Sequence, residues 1–286
     1  GPPCAPPVTG TTMSARQSPV TSTESGPCHG KSGAMGSGSD LRRRRQCGGS
    51  VAAVWDLAAR YYATCGFSRV NYGLTRFLYD RSIGNPDDVT YLTTAGPEYA
   101  RRYFAEGLYA RTPLYKWTQA NVGCCTWAWV REKLDRGELT PDEVDALKQN
   151  AEMGISAGVT VSFPVSSARS KGALGLIADV GLTTGDVEGI WARRGAEIQA
   201  VAHMMHLKIV QMPSQSRRRN LTDRQREALE WVADGKTTAD IALLMQVSLA
   251  MVEKHLRLAR EALDVETTAQ AVAKAAFLNM IFQQNG

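Results

Sequence analysis

The chain has 286 residues, an apolar fraction of 43%, a formal net charge of +5 and six cysteines. This length allows two domains, since one domain usually takes about 100–200 residues. No run approaches 18 consecutive apolar residues, so a membrane-spanning helix is not predicted, and no apolar secretory signal is readable. No CxxC pair occurs, so a metal site is not expected. We expect a cytoplasmic protein, in which the cysteines should be reduced thiols.

Residues 1–49 are predicted to be a disordered leader. They are rich in Gly, Pro, Ser and Thr and end in the basic run Arg42–Arg45. Such a composition cannot bury enough apolar surface to offset the entropy lost on ordering. The arginine run fits either a solvated basic tail or non-specific contact with nucleic acid.

Residues 50–211 alternate between helical and strand-like patterns. Apolar periodicity predicts helices at 51–65, 97–108, 140–153 and 186–210, and strands at 69–78, 89–94, 126–130, 158–166 and 172–180. Thr140 and Glu143 form a capping-box pattern, and the turn at 84–87 favours hairpin connections. We therefore expect an α+β protein whose N-terminal domain is an α/β/α sandwich around an antiparallel sheet of about five strands.

Residues 212–220 are predicted to be a linker, because they contain Pro213 and Arg217–Arg219. Residues 221–286 are predicted to form a four-helix domain whose helices begin after Thr222, Thr237, Ser248 and Thr267. The third helix places an apolar stripe at helical spacing, formed by Val252, Leu256, Ala259 and Leu263. Its opposite side carries Ala250, Lys254, Arg257 and Glu261.

Two short helices joined by a tight turn, the second with small and basic residues outward, are typical of a helix-turn-helix. The outward side chains of the second helix can reach base edges in the major groove, while helix caps and flanking cations hold phosphates. The alternative is a plain helical bundle with a solvated charged face.

The segment from Leu221 to Ala242 has the pattern LTxRxxExLxWxAxGKTxxDIA and is followed by Ser248, Val252 and His255. This pattern closely resembles the LuxR-type DNA-binding domain. It departs from the family at Asp240, Met251 and Thr267-Thr268, which puts one or two phosphate contacts in doubt. The resemblance implies binding to double-stranded DNA through Lys236, Thr237, Ser248, Ala250, Met251, Lys254, Arg257 and Arg260.

The last helix of this family contributes to a homodimer. Leu278 and Ile281 suit that role, and they equally suit the core of their own domain.

Residues 50–211 resemble, more weakly, the autoinducer-binding domain of quorum-sensing LuxR-type regulators. The resemblance depends on Tyr99, Tyr103, Thr112-Pro113, Trp127, Gly158 and Pro164. Thr112 replaces an aspartate that in the family accepts the acyl amide N–H, and a charged acceptor makes a bond about twice as strong as a neutral one. A hydroxyl position near the C-terminal end of the sheet is replaced by Gly175 or Leu176. The implied ligand-binding residues are Tyr99, Tyr103, Thr112, Trp127 and Ser162, with Tyr72 and Phe77 as walls for an acyl tail or as core residues.

Two hypotheses about the effector follow from this resemblance. The first is an acyl-homoserine lactone held by altered contacts, and the second is a different amphipathic molecule or a loss of ligand dependence. No other cofactor is expected.

Two other functional classes are compatible with parts of the sequence. One is an inhibitory protein that forms a heterodimer with a related regulator. The other is an enzyme that pairs Cys124 or Cys125 with His203 or His206, although nothing fixes a third catalytic partner and we expect these cysteines to be buried or at a strand edge. We therefore expect no catalytic residues.

Overall fold

The computed structural model describes residues 50–78, 89–165, 167–213 and 220–282. The predicted leader, the predicted turn at 84–87 and Arg217–Arg219 of the predicted linker lie outside these described residues. Among the helices that are described, none is both long and apolar enough to cross a bilayer.

An antiparallel sheet forms the centre of the N-terminal part. In the described ranges its five strands are Arg69–Thr75 (β1), Thr90–Thr93 (β2), Gly123–Thr126 (β3), Gly158–Ser162 (β4) and Lys171–Ile177 (β5). They lie in the order β2-β1-β5-β4-β3, and every neighbouring pair is antiparallel. The predicted sheet of about five antiparallel strands is thus confirmed. β5 begins at Lys171, one residue before the start of the predicted strand at 172–180.

Helices cover both faces of this sheet. In chain order they span Val51–Ala63 (α1), Pro97–Ala100 (α2), Leu108–Arg111 (α3), Pro113–Ala120 (α4), Ala128–Asp135 (α5), Pro141–Glu152 (α6) and Thr184–Gln211 (α7). The capping box of α6 forms as predicted, with Thr140 and Glu143 bonded reciprocally.

The main core lies between the sheet and the pair α1 and α7. Successive strand residues point to opposite faces, so alternate residues of β1 and β5 enter this core. Tyr72 and Leu174 are fully buried there, together with Trp55 of α1 and Ile198 of α7. The other face of the sheet is covered by α2–α6, which completes the predicted α/β/α layering.

Two predicted elements are wrong in detail. The helix predicted at 97–108 is broken, because a π-helical turn spans Arg101–Ala105 and Gly107 takes a φ of 75° before α3. The strand predicted at 126–130 ends at Thr126, because Trp127 turns the chain into α5 and its carbonyl accepts the backbone N–H groups of Val130 and Arg131. Aromatic and β-branched composition does not distinguish the two structures over so short a segment.

The C-terminal part is helical, as predicted. Its helices span Asp223–Ala233 (α8), Thr238–Met245 (α9), Leu249–Leu263 (α10) and Thr268–Phe277 (α11). The four predicted caps are formed by Thr222, Thr237, Ser248 and Thr267. Gln246 ends α9 in the left-handed region with a φ of 55°, which makes the tight turn into α10. The predicted apolar stripe of α10 is buried in the domain core.

Candidate ligand cavity and DNA-binding face

A cavity of about 290 Å³ lies between the sheet and the layer formed by α2–α6. Residues of β1 and β5 that alternate with the main core face it, namely Asn71, Gly73, Thr75, Ala173 and Gly175. This size lies at the lower end of the range for pockets that enclose a small molecule, about 300–1,000 Å³.

Aromatic rings form one wall of the cavity. In the described part of the chain they make one connected network of Tyr91, Tyr99, Tyr103, Phe104, Tyr109 and Tyr115. Tyr99 and Tyr103 stack with ring centroids 5.0 Å apart. The closest pair, Tyr91 and Phe104, has centroids 4.6 Å apart. The network therefore presents both ring faces and phenol groups to a ligand.

Four phenol groups of this wall have a pKa above the ordinary value, namely those of Tyr91, Tyr99, Tyr103 and Tyr115. Burial raises the pKa of Tyr103 and that of Tyr115 to about 12 each. Burial also raises the pKa of Tyr91 and of Tyr99 well above the ordinary value of 10. Near neutral pH, these tyrosines can donate and accept hydrogen bonds but supply no charge.

Five of the predicted ligand-binding residues border the cavity: Tyr99, Tyr103, Thr112, Trp127 and Tyr72, although the ring of Tyr72 points away from it. The Thr112 hydroxyl caps α4, accepting from the Tyr115 N–H at 3.3 Å and donating to the Tyr109 carbonyl at 2.7 Å. The Trp127 indole N–H donates to the Thr160 hydroxyl at 3.0 Å. Both polar groups are thus engaged within the protein.

Trp127 owes its position partly to Gly158. A Cβ on Gly158 would lie 3.1 Å from the indole ring and 2.3 Å from the Leu176 carbonyl oxygen. Only glycine leaves room for the indole to lie against this strand. Gly158, one of the residues on which the family resemblance depends, therefore has a physical role in placing Trp127.

Three predicted ligand-binding residues do not present side chains to the cavity. The ring of Tyr72 lies in the main core on the opposite face of the sheet, where its hydroxyl is 2.9 Å from His206 Nδ1. Phe77 packs on Phe277 of α11, with ring centroids 5.6 Å apart. The Ser162 hydroxyl donates to the Asn121 carbonyl at 2.6 Å. The register and the end of β1 decide these positions, and neither is visible in the sequence.

Sequence analysis missed several residues of the cavity. The main ones are Asn71, Tyr91, Tyr109, Asn150 and Lys171. The strand period could have placed Asn71 opposite Tyr72, because neighbouring strand residues face opposite sides. No sequence pattern marked the others.

The predicted DNA-binding residues lie on α10 and on the segments that precede α9 and α10. Lys236, Ala250, Met251 and Lys254 are exposed. Thr237 and Ser248 are helix caps, so their hydroxyls accept backbone N–H groups at 3.2 Å and 3.3 Å.

The two predicted arginines differ in their surroundings. Arg257 is exposed and forms an ion pair with Glu261 at 2.6 Å. Arg260 is half-buried and donates to the Thr268 hydroxyl at 3.0 Å, which turns it toward α11. Lys254 and Arg257 lie three residues apart on the outward side of α10, whereas Arg260 is directed elsewhere.

Leu278 and Ile281 belong to the core of the C-terminal part, with 1% and 3% exposure. Of the two alternatives for them, the structure shows the intradomain one. In this conformation neither side chain is available for a dimer seam.

Known proteins are similar along most of the chain. The autoinducer binding domain family matches residues 50–209, and the sigma-70 region 4 family matches residues 219–263. The HTH-type quorum sensing-dependent transcriptional regulator RpaR of Rhodopseudomonas palustris is 27% identical over 221 residues, which covers 77% of this chain and 84% of that protein. The transcriptional activator protein LuxR of Aliivibrio fischeri is 24% identical over 209 residues, covering 71% and 79%. Among solved structures, SdiA of Escherichia coli shares 17% identity with a TM-score of 0.43 over 86% of this chain and 98% of that one.

The match to the autoinducer binding domain covers more than half of the 286 residues. It coincides with the part that contains the sheet and the cavity, and the second match coincides with the helix-turn-helix. The chain belongs to the LuxR-type quorum-sensing transcription regulators, DNA-binding proteins that carry an autoinducer-binding domain.

Proposed function

We propose that this regulator is gated by a small amphipathic molecule, which binds in the cavity and controls operator binding by a homodimer. The supporting observation is an unpaired polar atom on a residue that borders the aromatic cavity. Asn150, which borders the cavity, is 8% exposed, and its Oδ1 has no hydrogen-bond partner among the described residues. Buried polar atoms are nearly always hydrogen-bonded, so this acceptor favours a ligand that donates a hydroxyl or an N–H group.

The ligand's polar groups contact other residues than those marked by the family resemblance. Thr112 already caps α4, and Ser162 already bonds a backbone carbonyl. A lactone carbonyl that accepted from either hydroxyl would have to break a bond within the protein, because each hydroxyl proton already bonds a backbone carbonyl. A buried group left unpaired costs about 1–3 kcal/mol. The second candidate ligand is therefore an acyl-homoserine lactone bound through altered contacts.

Strand β1 supplies a direct connection from the cavity to the DNA-binding part. Asn71, Gly73 and Thr75 border the cavity. The chain continues to Arg76, whose guanidinium donates to the Val210 carbonyl at 2.7 Å, and to Phe77, which packs on α11. A ligand that shifts β1 would shift these contacts too. It would change the balance between two conformations of the chain only to the extent that it binds one of them more tightly than the other.

In the proposed homodimer, two copies of α10 enter half-sites about one helical turn of DNA apart. Ligand binding to the folded chain alone stabilises it by mass action. Membership of a family of transcription regulators argues against an enzyme built on Cys124 or Cys125, which lie on the edge strand β3.

Purified full-length protein tests this proposal. An operator is first selected from random duplex DNA, and its affinity is then measured by fluorescence anisotropy with and without N-octanoyl-homoserine lactone, decanoate or the extracted small molecules that co-purify. We expect at least one of these to raise the melting temperature and to change operator affinity. Saturating additions that change neither quantity would refute ligand gating. Failure to bind any duplex alone, combined with tight association with a related regulator, would support the inhibitory alternative instead.

The variant Phe77→Ala separates ligand binding from its coupling to DNA. Phe77 lies outside the cavity, so the ligand-induced rise in melting temperature should persist in this variant. The effect of ligand on operator affinity should shrink, because the contact with Phe277 is removed. An unchanged ligand effect on operator affinity would show that β1 is not the connection.

A further inference from the structure

Lys171 is the first residue of β5 and lies on the cavity side of the sheet. It pairs with Thr75 of β1, and both residues border the cavity. The side chain is deeply buried, since the residue is 9% exposed. Lysines are rarely buried to this extent unless they are paired.

The Lys171 ammonium has no acidic partner in the described part of the chain. Nζ donates to the Asn121 carbonyl at 3.1 Å, which uses one of its three N–H groups. The described residues that line the cavity include neither Asp nor Glu. Burial lowers the pKa of Lys171. The other cation beside the cavity, Arg131, is exposed and already forms an ion pair with Asp135 at 3.3 Å.

Capping of α4 does not account for this lysine. Asn121 ends α4, and a cation near a helix C-terminus is favourable. However, the Asn121 carbonyl already accepts the Ser162 hydroxyl at 2.6 Å. The helix is also only 8 residues long, so its dipole compensates little of the cost of burying a charge.

We propose that Lys171 binds a carboxylate of the effector, so that the ligand class is a small carboxylic acid with an apolar body, on which a hydroxyl or N–H group would meet the Asn150 acceptor. This inference rests on the proposed function, because it requires the cavity to be the ligand site. A carboxylate would give the ammonium the charged partner that the chain does not supply, and charge-assisted hydrogen bonds are the stronger kind. The ring network provides apolar walls for the rest of the molecule, whether aliphatic or aromatic.

Matched acids and amides test this assignment by isothermal titration calorimetry on the full chain. The pairs are decanoate with decanamide and 5-phenylpentanoate with 5-phenylpentanamide, which also separate an aliphatic body from an aromatic one. Wild-type protein should bind at least one acid about tenfold to a hundredfold more tightly than its amide, the range expected for a hydrogen bond to a charged group.

Three variants give this preference its controls. Lys171→Met should lose the preference for the acid, and Lys171→Arg should retain it. Lys116→Met is the matched control, because Lys116 pairs with Glu143 at 2.8 Å, is half-exposed and does not line the cavity. It should leave the preference unchanged.

Several results would overturn the assignment. One is equal binding of acid and amide, and another is an unchanged preference in Lys171→Met. A lower melting temperature of ligand-free Lys171→Met with an unchanged preference would make Lys171 a structural cap. If Lys171→Met fails to fold, the ratio of acid affinity to amide affinity in wild type and in Lys171→Arg tests the assignment instead. Binding of N-octanoyl-homoserine lactone without either acid would keep the cavity as the ligand site and refute the role of Lys171.

Discussion

Acidification should destabilise the N-terminal part through one buried histidine. His206 of α7 is 7% exposed, lies 2.9 Å from the Tyr72 hydroxyl and stacks on Phe163 with ring centroids 4.0 Å apart. Burial lowers the pKa of His206 to about 4, and the neighbouring His203 and Arg76 act in the same direction. The folded chain therefore keeps the ring neutral under conditions in which the unfolded chain protonates it.

The size of this effect follows from proton linkage. The pKa of His206 is about 4 in the folded chain and 6.5 ordinarily. A depressed folded pKa contributes stability that is fully present above pH 6.5 and is lost as the pH falls toward 4. At about 1.4 kcal/mol per pH unit, the loss is about 2 kcal/mol between pH 7.5 and pH 5.0, and about 3 kcal/mol once the pH reaches 4.

Urea unfolding followed by tryptophan fluorescence measures this loss. Wild type and His206→Gln are compared at intervals from pH 7.5 to pH 5.0, so that carboxylates titrating in both proteins cancel. The free energy of unfolding of wild type, relative to the variant, should fall by about 2 kcal/mol over this range. The variant His255→Gln, in the C-terminal part and away from His206, serves as the control for the loss of a histidine.

A difference between wild type and His206→Gln that stays constant with pH would refute the reasoning. A titration of His206 near pH 6.5, followed by NMR in the folded protein, would do the same. Either result would mean that the ring reaches water or gains a compensating partner in solution.

Three further predictions concern the two sites. Lys254→Ala and Arg257→Ala should each weaken operator binding by about 1–3 kcal/mol without changing the melting temperature. The control Arg136→Ala, which removes a distant exposed cation, should leave operator binding unchanged. Unchanged affinity in both α10 variants would show that the DNA-binding face lies elsewhere. Trp127→Ala should abolish the ligand-induced rise in melting temperature while Trp127→Phe retains it, and a fully responsive alanine variant would contradict the cavity assignment. Thr112→Asp keeps a good helix cap, so the variant should fold. In calorimetry it should bind N-octanoyl-homoserine lactone about fivefold more tightly and decanoate more weakly than wild type. Unchanged affinity for both ligands would show that residue 112 does not contact the ligand.

The C-terminal part was predictable because its structure depends on local signals. Each helix begins after a Ser or Thr whose hydroxyl meets an N–H three residues on, and these positions can be counted along the chain. The stripe from Val252 to Leu263 repeats at the helical period, so its burial follows from the spacing. Arg260 was not predictable in the same way, because its contact with Thr268 depends on where α11 packs.

The N-terminal strands were predictable in number and direction, but the side chains facing the cavity were not. Shifting a strand by one residue exchanges its two faces, and register depends on contacts distant in sequence. Asn71 pairs with Gly175, which puts both on the cavity face, while Leu176 enters the main core. Of the two candidates for the lost hydroxyl position, register therefore selects Gly175.

Gly175 also helps to explain the cavity's chemistry. An added Cβ would meet only the Asn71 Cβ, at 3.9 Å, so packing does not require a glycine there and its effect is to leave space above the sheet.

Three polar positions of the family resemblance thus offer no free donor to a ligand, since the Thr112 and Ser162 hydroxyl protons bond backbone carbonyls and Gly175 has no side chain. Among the described residues that border the cavity, Asn150 and Lys171 have polar groups without full partners, and both are at positions that the resemblance does not mark. The family can accordingly be recognised from sequence, while the ligand has to be inferred from which buried polar atoms the fold leaves unsatisfied.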